Sequence, residues 1–322
     1  MESSRSHYAW VVLTVATLVV FGSLGLARFG YTMLLPGMQA GLGLDNTRAG
    51  GLATANLVGY LAMSVAGGAL AARYGPRVVI TLGLVLAAAG MLLTGLSGTF
   101  AGALAWRAVT GLGSGASNVP VMGLLAAWFA RRRRGLAAGI GVTGSSFALI
   151  LVGPLVPGVL EIRGPEGWRV CWFLFAGVTL VLSVLAYAAL RDSPSSLGLR
   201  PLGAQADETA GPSQGSGMDW ASVYRSGVIW HVGLVYMAFG FSYIIYLTFF
   251  TRYLIAEGGY TTASAGRLYM LVGWLSLLCG LIWGWVSDRI GRKATLVIVY
   301  LLHALAFGLF ALCCGATVVL QH

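Results

Sequence analysis

Long apolar stretches separated by short polar breaks run along the whole chain. A helix needs roughly 20 mostly apolar residues to cross a hydrocarbon layer about 30 Å thick. Nine stretches are long enough: 10–35, 50–71, 77–97, 100–128, 135–160, 168–190, 228–251, 264–287 and 294–314. The pattern predicts nine transmembrane helices in an all-α integral membrane protein. The first stretch is too long for the apolar core of a signal peptide and holds Arg28, so it reads as a retained helix. Residues 191–226 break the pattern. They are rich in Ser, Gly, Pro, Asp and Glu, show no helical periodicity and read as a solvated linker. The chain thereby divides into a six-helix unit over 1–190, a cytoplasmic linker over 191–226 and three helices over 227–322.

Composition excludes a fold built for water. Hydrophobic residues are 57% of 322 and charged residues 9%, against roughly 25% charged in an ordinary soluble domain. The 47 glycines suit helices that approach closely where no hydrophobic effect draws them together. Cys171, Cys279, Cys313 and Cys314 all lie in apolar runs and read as small core residues, with neither metal-ligand nor disulfide spacing. No metal or cofactor is expected, and no enzymatic constellation is visible. The chain holds no G-x-x-x-x-G-K-[ST] loop, which argues against an ATP-driven pump. Gly111-x-Gly113-x-Gly115 sits inside an apolar stretch and reads as packing, not as a phosphate cradle.

The net charge of +10 takes its meaning from where the bases fall. With the N-terminus in the cytoplasm, thirteen of the 20 Lys and Arg lie on the cytoplasmic side, five lie outside, and Arg28 and Arg107 lie within spans. Basic loops favour the cytoplasm, so the N-terminus is expected inside. The run Arg131–Arg134 then reads as an anchor at the lipid headgroups. No aromatic-rich soluble platform accompanies it, so nucleic acid is not an expected partner.

After the eighth stretch comes Gly284-Trp-Val-Ser-Asp288-Arg289-Ile-Gly291-Arg292-Lys293. A tight turn between helices needs a glycine for its backbone, and the acid and bases can cap the adjoining helix ends. On these residues the chain resembles the major facilitator superfamily, whose loop signature is G-x-x-x-D-R-x-G-R-K. A degenerate copy, Gly68-Ala-Leu-Ala-Ala72-Arg73-Tyr-Gly75-Pro76-Arg77, follows the second stretch, with Ala72 in place of the acid. Leu57-Val-Gly-Tyr60 and Leu271-Val-Gly-Trp274 repeat in the same two helices. Such copies six helices apart imply two related halves with a solute site at their midplane, worked by alternating access. Arg107-Ala-Val-Thr-Gly111-Leu-Gly113 resembles the family's R-x-x-x-G-x-G, which implies an arginine facing the central cavity. Gly153-Pro154-Leu-Val-Pro157-Gly158 resembles its antiporter signature, although Leu149 and Pro157 stand where glycines belong. The stretch from Ala27-Arg28-Phe29-Gly30-Tyr31 to Pro36 is similar to a bacterial branch of largely undefined substrates. Members normally have twelve spans, so three helices are expected beyond those in this chain.

Ionisable groups at membrane depth are costly and therefore functional candidates. All ten acidic residues fall in loops or tails; Arg28 and Arg107 do not. Both are expected in the outer half of the bilayer. Each guanidinium offers a planar fork for carboxylate or phosphate; the alternative is snorkelling or bonding to backbone carbonyls. Asn56, Tyr60, Asn118, Tyr243 and Tyr246 are the neutral polar residues expected to line a cavity or join helices. Aligning Phe21-Gly22 with Phe239-Gly240 puts Tyr246 at the repeat position of Arg28. His303 lies mid-helix and could titrate near neutrality; His231 lies near a helix end. The expected function is secondary transport of a small organic anion such as a monocarboxylate, in a bacterial inner membrane, by a monomer. The alternatives are a proton-coupled exporter of drugs or sugars, with a proton as partner, and a non-transporting sensor or fragment. The residues of the two loop copies are expected to govern conformation, not to touch the solute.

Overall fold

The computed structural model describes residues 7–204 and 225–319. The first rod is composite: α1 (His7–Val20), a π-helical stretch (Phe21–Phe29) and α2 (Gly30–Leu42) follow one another without a break. After it come α3 (Asn46–Tyr74), α4 (Pro76–Leu96), α5 (Phe100–Trp128), α6 (Arg131–Arg163), α7 (Gly167–Ala189), α8 (Gly227–Ala256), α9 (Thr262–Ile290) and α10 (Arg292–Val319). Each predicted stretch falls on one of these rods. Most rods run further than their apolar stretch, because capping and basic residues carry the helix on into its polar flanks. Among the described residues the only strand-like pairing is a single bridge between Phe129 and Leu202.

By length and hydropathy, seven segments of the described residues can cross a membrane, and one of these runs through both α6 and α7. The rod they leave out is α5. Its sequence carries Arg107, Thr110, Ser114, Ser117 and Asn118, all buried inside the bundle. A helix enclosed by other helices need not be apolar all round.

The bundle has a basic end, which carries Arg131–Arg134, and an opposite end. Three of the four helices that start at the opposite end, α3, α5 and α9, are capped by side chains: Asp45 accepts from Arg48 N at 2.7 Å, Thr99 from Gly102 N at 3.2 Å and Thr261 from Ser264 N at 3.2 Å. At the basic end, Gly75 and Gly291 hold φ of 87° and 86°, a conformation side chains rarely adopt. These are the corresponding glycines of the two loop copies, and the two turns share one backbone geometry.

The first loop copy lacks its acid at Ala72, yet its helix end is not without one. Asp192 Oδ1 accepts from Arg77 N at 2.7 Å, which places a carboxylate at the N-terminus of α4. That carboxylate stands 3.0 Å from where a Cβ on Gly75 would sit. Arg77 Nε donates to the Tyr187 carbonyl at 2.7 Å and its guanidinium lies 4.3 Å from the Tyr187 ring. The start of the expected linker therefore docks on the bundle, while Asp192, Ser195, Ser196, Leu197 and Arg200 stay exposed. Trp128 Nε1 donates to the Arg191 carbonyl at 2.9 Å, Leu202 N to the Trp128 carbonyl at 2.8 Å and Ala130 N to the Leu202 carbonyl at 3.1 Å. Leu199 and Leu202 pack on the cluster around Trp128 and Phe129. Residues 205–224 of the linker lie outside the described residues.

One apolar cluster fills the basic half of the bundle between α1, α4, α5 and α7; another fills the opposite half between α2, α6, α7, α8 and α9. Between α3 and α4, α5 makes backbone-to-backbone contact: a Cβ at Gly111 would overlap the Asn56 carbonyl, and one at Gly113 would overlap Ala87 N. The glycines read as packing in the sequence pack in this way, and they bring Arg107 into the interior.

Candidate functional site

Arg107 is 1% exposed on α5. Its Nη1 donates to the Ala27 carbonyl, in the π-helical stretch, at 2.7 Å. Its guanidinium carbon lies 4.7 Å from the centre of the Tyr31 ring and 5.2 Å from that of Trp172. Nε is buried and has no hydrogen-bond partner among the described residues. The carbonyl contact is the structural alternative recognised in the sequence, and the ring contacts add a cation–π term of about 2 kcal/mol or more where water is excluded. Neither supplies a negative charge.

Arg28 lies at the end of the π-helical stretch, 5.6 Å from the Phe29 ring centre and 5.9 Å from that of Tyr60. Arg28, Arg107 and Asn56 border one small cavity, together with Phe29, Tyr31, Thr32, Ala53, Leu57, Ile244, Leu247 and Thr248. Its volume is about 20 Å³, room for about one water. Asn56 Nδ2 donates to the Arg107 carbonyl at 3.2 Å, a helix-to-helix bond. Asn118 Nδ2 donates to Tyr60 Oη at 2.8 Å, so this pair is joined to Arg28 through the Tyr60 ring.

The cavity is shut toward the end opposite the basic one. Tyr31 Oη donates to the Ala49 carbonyl at 2.7 Å, Thr32 Oγ1 to the Leu247 carbonyl at 2.8 Å and Tyr269 Oη to the Phe29 carbonyl at 2.7 Å. Thr251 Oγ1 returns a bond to the Thr32 carbonyl. These bonds tie the first rod to α3, α8 and α9. Their hydroxyl hydrogens are engaged on backbone carbonyls.

Of the five neutral residues expected to line a cavity, Asn56 borders this one, and Tyr60, Asn118, Tyr243 and Tyr246 do not. Tyr243 stacks on Phe239 at 5.6 Å and meets Phe29 edge-on at 6.5 Å. Tyr246 packs against Phe250, Phe307 and Phe310. His303 faces α8, with Nε2 3.1 Å from Ser242 Oγ and its ring 4.1 Å from Phe307; His231 is exposed. Of the loop residues, Arg73 lies over the Tyr74 ring at 5.3 Å, while Gly68, Arg289 and Lys293 are exposed. The side chains of Asp288 and Arg292, and the surroundings of Gly284, lie outside the described residues. The sequence did not single out Thr32, Trp172, Leu247 or Thr248. Tyr31 stood inside the stretch matched to a bacterial branch but was given no role.

Comparison with known proteins follows this geometry. The family model of the Major Facilitator Superfamily matches residues 17–320. A probable sulfoacetate transporter of Cupriavidus necator is 26% identical, over 83% of this chain and 62% of its own length. The hexuronate transporter of Bacillus subtilis is 22% identical, again over 83% and 62%. A 4-hydroxybenzoate transporter of Pseudomonas aeruginosa is 25% identical, over 96% of this chain and 72% of its own. The chain thus spans less than two thirds of the length of the first two. Among solved structures, an inward-facing, unoccupied bacterial homolog of the human lysosomal transporter Spinster matches with a TM-score of 0.67 at 18% identity, covering 90% of this chain and 64% of the other. A D-xylose–proton symporter matches at 0.63 and 16%, covering 89% and 70%. A bundle of membrane-length helices, the paired glycine turns and a match along almost the whole chain lead to one assignment: this multi-pass membrane protein belongs to the Major Facilitator Superfamily.

Proposed function

We propose that the chain forms part of a secondary transporter for small organic anions, working by alternating access, with Arg107 and Arg28 as the anion contacts. The observation that carries this reading is a small cavity bordered by two guanidinium groups and, among the described residues, by no carboxylate. The names of the relatives point the same way, since sulfoacetate, hexuronate and 4-hydroxybenzoate are all organic anions. A guanidinium at membrane depth costs about 2.5–3.5 kcal/mol on insertion scales, so it calls for compensation by a partner. A carboxylate compensates it through two parallel charge-assisted hydrogen bonds.

In this reading the six helices up to residue 190 and those after the linker are two related units with the solute between them. The N-terminus and the basic end face the cytoplasm of a bacterial inner membrane, and the Thr32, Thr251 and Tyr269 bonds form the closed outer gate. An impermeant maleimide applied to intact cells checks the orientation. Glu166→Cys is expected to react and Arg132→Cys to stay unlabelled, in a background without native cysteines; the reverse pattern overturns the orientation.

The functional test is thermal stabilisation of the purified protein by matched carboxylic acids and their amides. The acids are expected to raise the melting temperature and the neutral amides to leave it unchanged. Equal stabilisation by both, or by apolar cationic drugs alone, would remove the anion reading and favour a drug exporter.

A further inference from the structure

The charge around the cavity points to a narrower class of solute than an organic anion in general. Two guanidinium groups border it, and the acidic residues of the described chain stand at helix ends and in loops: Asp45, Glu161, Glu166, Asp192 and Glu257. The neutral polar groups nearby do not offset this charge. Tyr31, Thr32 and Asn56 each donate to a backbone carbonyl, and Arg107 Nε is a further buried donor with no acceptor. Among the described residues, the one acceptor that meets either of these two guanidinium groups is the Ala27 carbonyl, which is a dipole and carries no net charge. The aromatic faces of Tyr31, Trp172, Phe29 and Tyr60 stabilise the two cations without neutralising them. Arg107 is buried, whereas Arg28 is partly exposed.

We infer that the solute carries two negative charges, one placed on Arg107 and one on Arg28: a dicarboxylate, or an acid with a second sulfonate or phosphate group. This rests on the reading of the cavity as the solute site and refines it. A monoanion leaves one of the two charges at the cavity without an anionic partner. A dianion leaves none, and its oxygens supply the anionic acceptors that the described lining lacks. The two arginines then play different parts. Arg107 is held by Ala27 and by glycine-tight packing of α5, so it is the fixed contact. Arg28 makes only ring contacts among the described residues, so it is free to turn toward the second anionic group.

The test compares three skeletons near pH 7.5, each as diacid, monoamide and diamide: oxalate with oxamate and oxamide, malonate with malonamate and malonamide, succinate with succinamate and succinamide. Dissociation constants are read from thermal-shift titrations of the purified protein at fixed ionic strength. In at least one series the diacid is expected to bind about tenfold or more tighter than its monoamide, as loss of one charge-assisted contact requires. Arg28→Gln is expected to erase that advantage while leaving monoamide binding in place, and Arg28→Lys to keep most of it, which separates lost charge from lost fold. Monoamides that bind as tightly as the diacids in every series would overturn the dianion inference and leave the anion reading standing. Diamides that bind as tightly as either would overturn both. No binding by any diacid would overturn the dianion inference as well.

Discussion

Arg107→Ala is expected to weaken binding of carboxylate solutes by about one to two orders of magnitude, since a hydrogen bond to a charged group contributes roughly 1.5–3 kcal/mol. The same substitution should leave the binding of a neutral analogue almost unchanged. The bundle should survive it, because removing a charge from membrane depth offsets the lost bond to the Ala27 carbonyl. Arg107→Lys is the sharper variant. Lysine keeps the charge and loses the fork, so it should fall between wild type and alanine. Dissociation constants measured for an acid and its amide on all three proteins give the answer. An Arg107→Ala protein with undiminished preference for the acid would show that Arg107 serves only to join α5 to the π-helical stretch.

A large effect on folding is expected at Gly113. Its missing side chain lets α5 meet the backbone of α4 at Ala87 N, and Gly111 does the same toward α3 at the Asn56 carbonyl. Backbone cannot yield as a flexible side chain does, so Gly113→Ala should cost about 1–3 kcal/mol or more, in the range of overpacked cores. Gly113→Leu should prevent a monodisperse folded protein from being recovered. Gly123 lies on the same helix with open space around it. Gly123→Ala should therefore be neutral or stabilising, since alanine is the better helix former by about 0.8–1 kcal/mol. Melting temperatures in one detergent, with gel-filtration profiles, compare the three. Equal behaviour of Gly113→Ala and Gly123→Ala would contradict the tight seam.

Much of this architecture was legible in the chain. Most rods follow from hydrophobic length, with α5 the exception because its polar side chains are buried in the bundle, and the glycine of each loop copy followed from the need for a turn that side chains do not permit. Arg107 and Arg28 were legible as a pair because they are charges where charge is costly. What joins them was not, since no pattern in the sequence announces which carbonyl or ring an arginine meets. The docking of 191–204 was hidden by its polar composition, in which Leu199, Leu202 and Asp192 are too sparse to form a periodic signal. Tyr246 shows a different limit. Counting from Phe21-Gly22 and Phe239-Gly240 matched it to Arg28, but the first rod is π-helical over Phe21–Phe29 while α8 is α-helical throughout. A π turn closes from residue i to i+5, so residues at equal sequence distance point in different directions. Tyr246 accordingly meets the aromatic rings of α10, and Arg28 borders the cavity. The α-helical period assumed from sequence could not show this.

In the proposed reading a solute anion passes through the cavity between Arg107 and Arg28. Uptake of a labelled dicarboxylate such as succinate or malonate into proteoliposomes holding the purified protein tests it most directly, with the unlabelled acid or its diamide on the inner side. Uptake should saturate, be competed away by unlabelled diacid and not by the diamide, and fall about tenfold or more in Arg107→Ala at solute concentrations below saturation. Uptake equal in wild type and Arg107→Ala, or competed equally by the diamide, would contradict it.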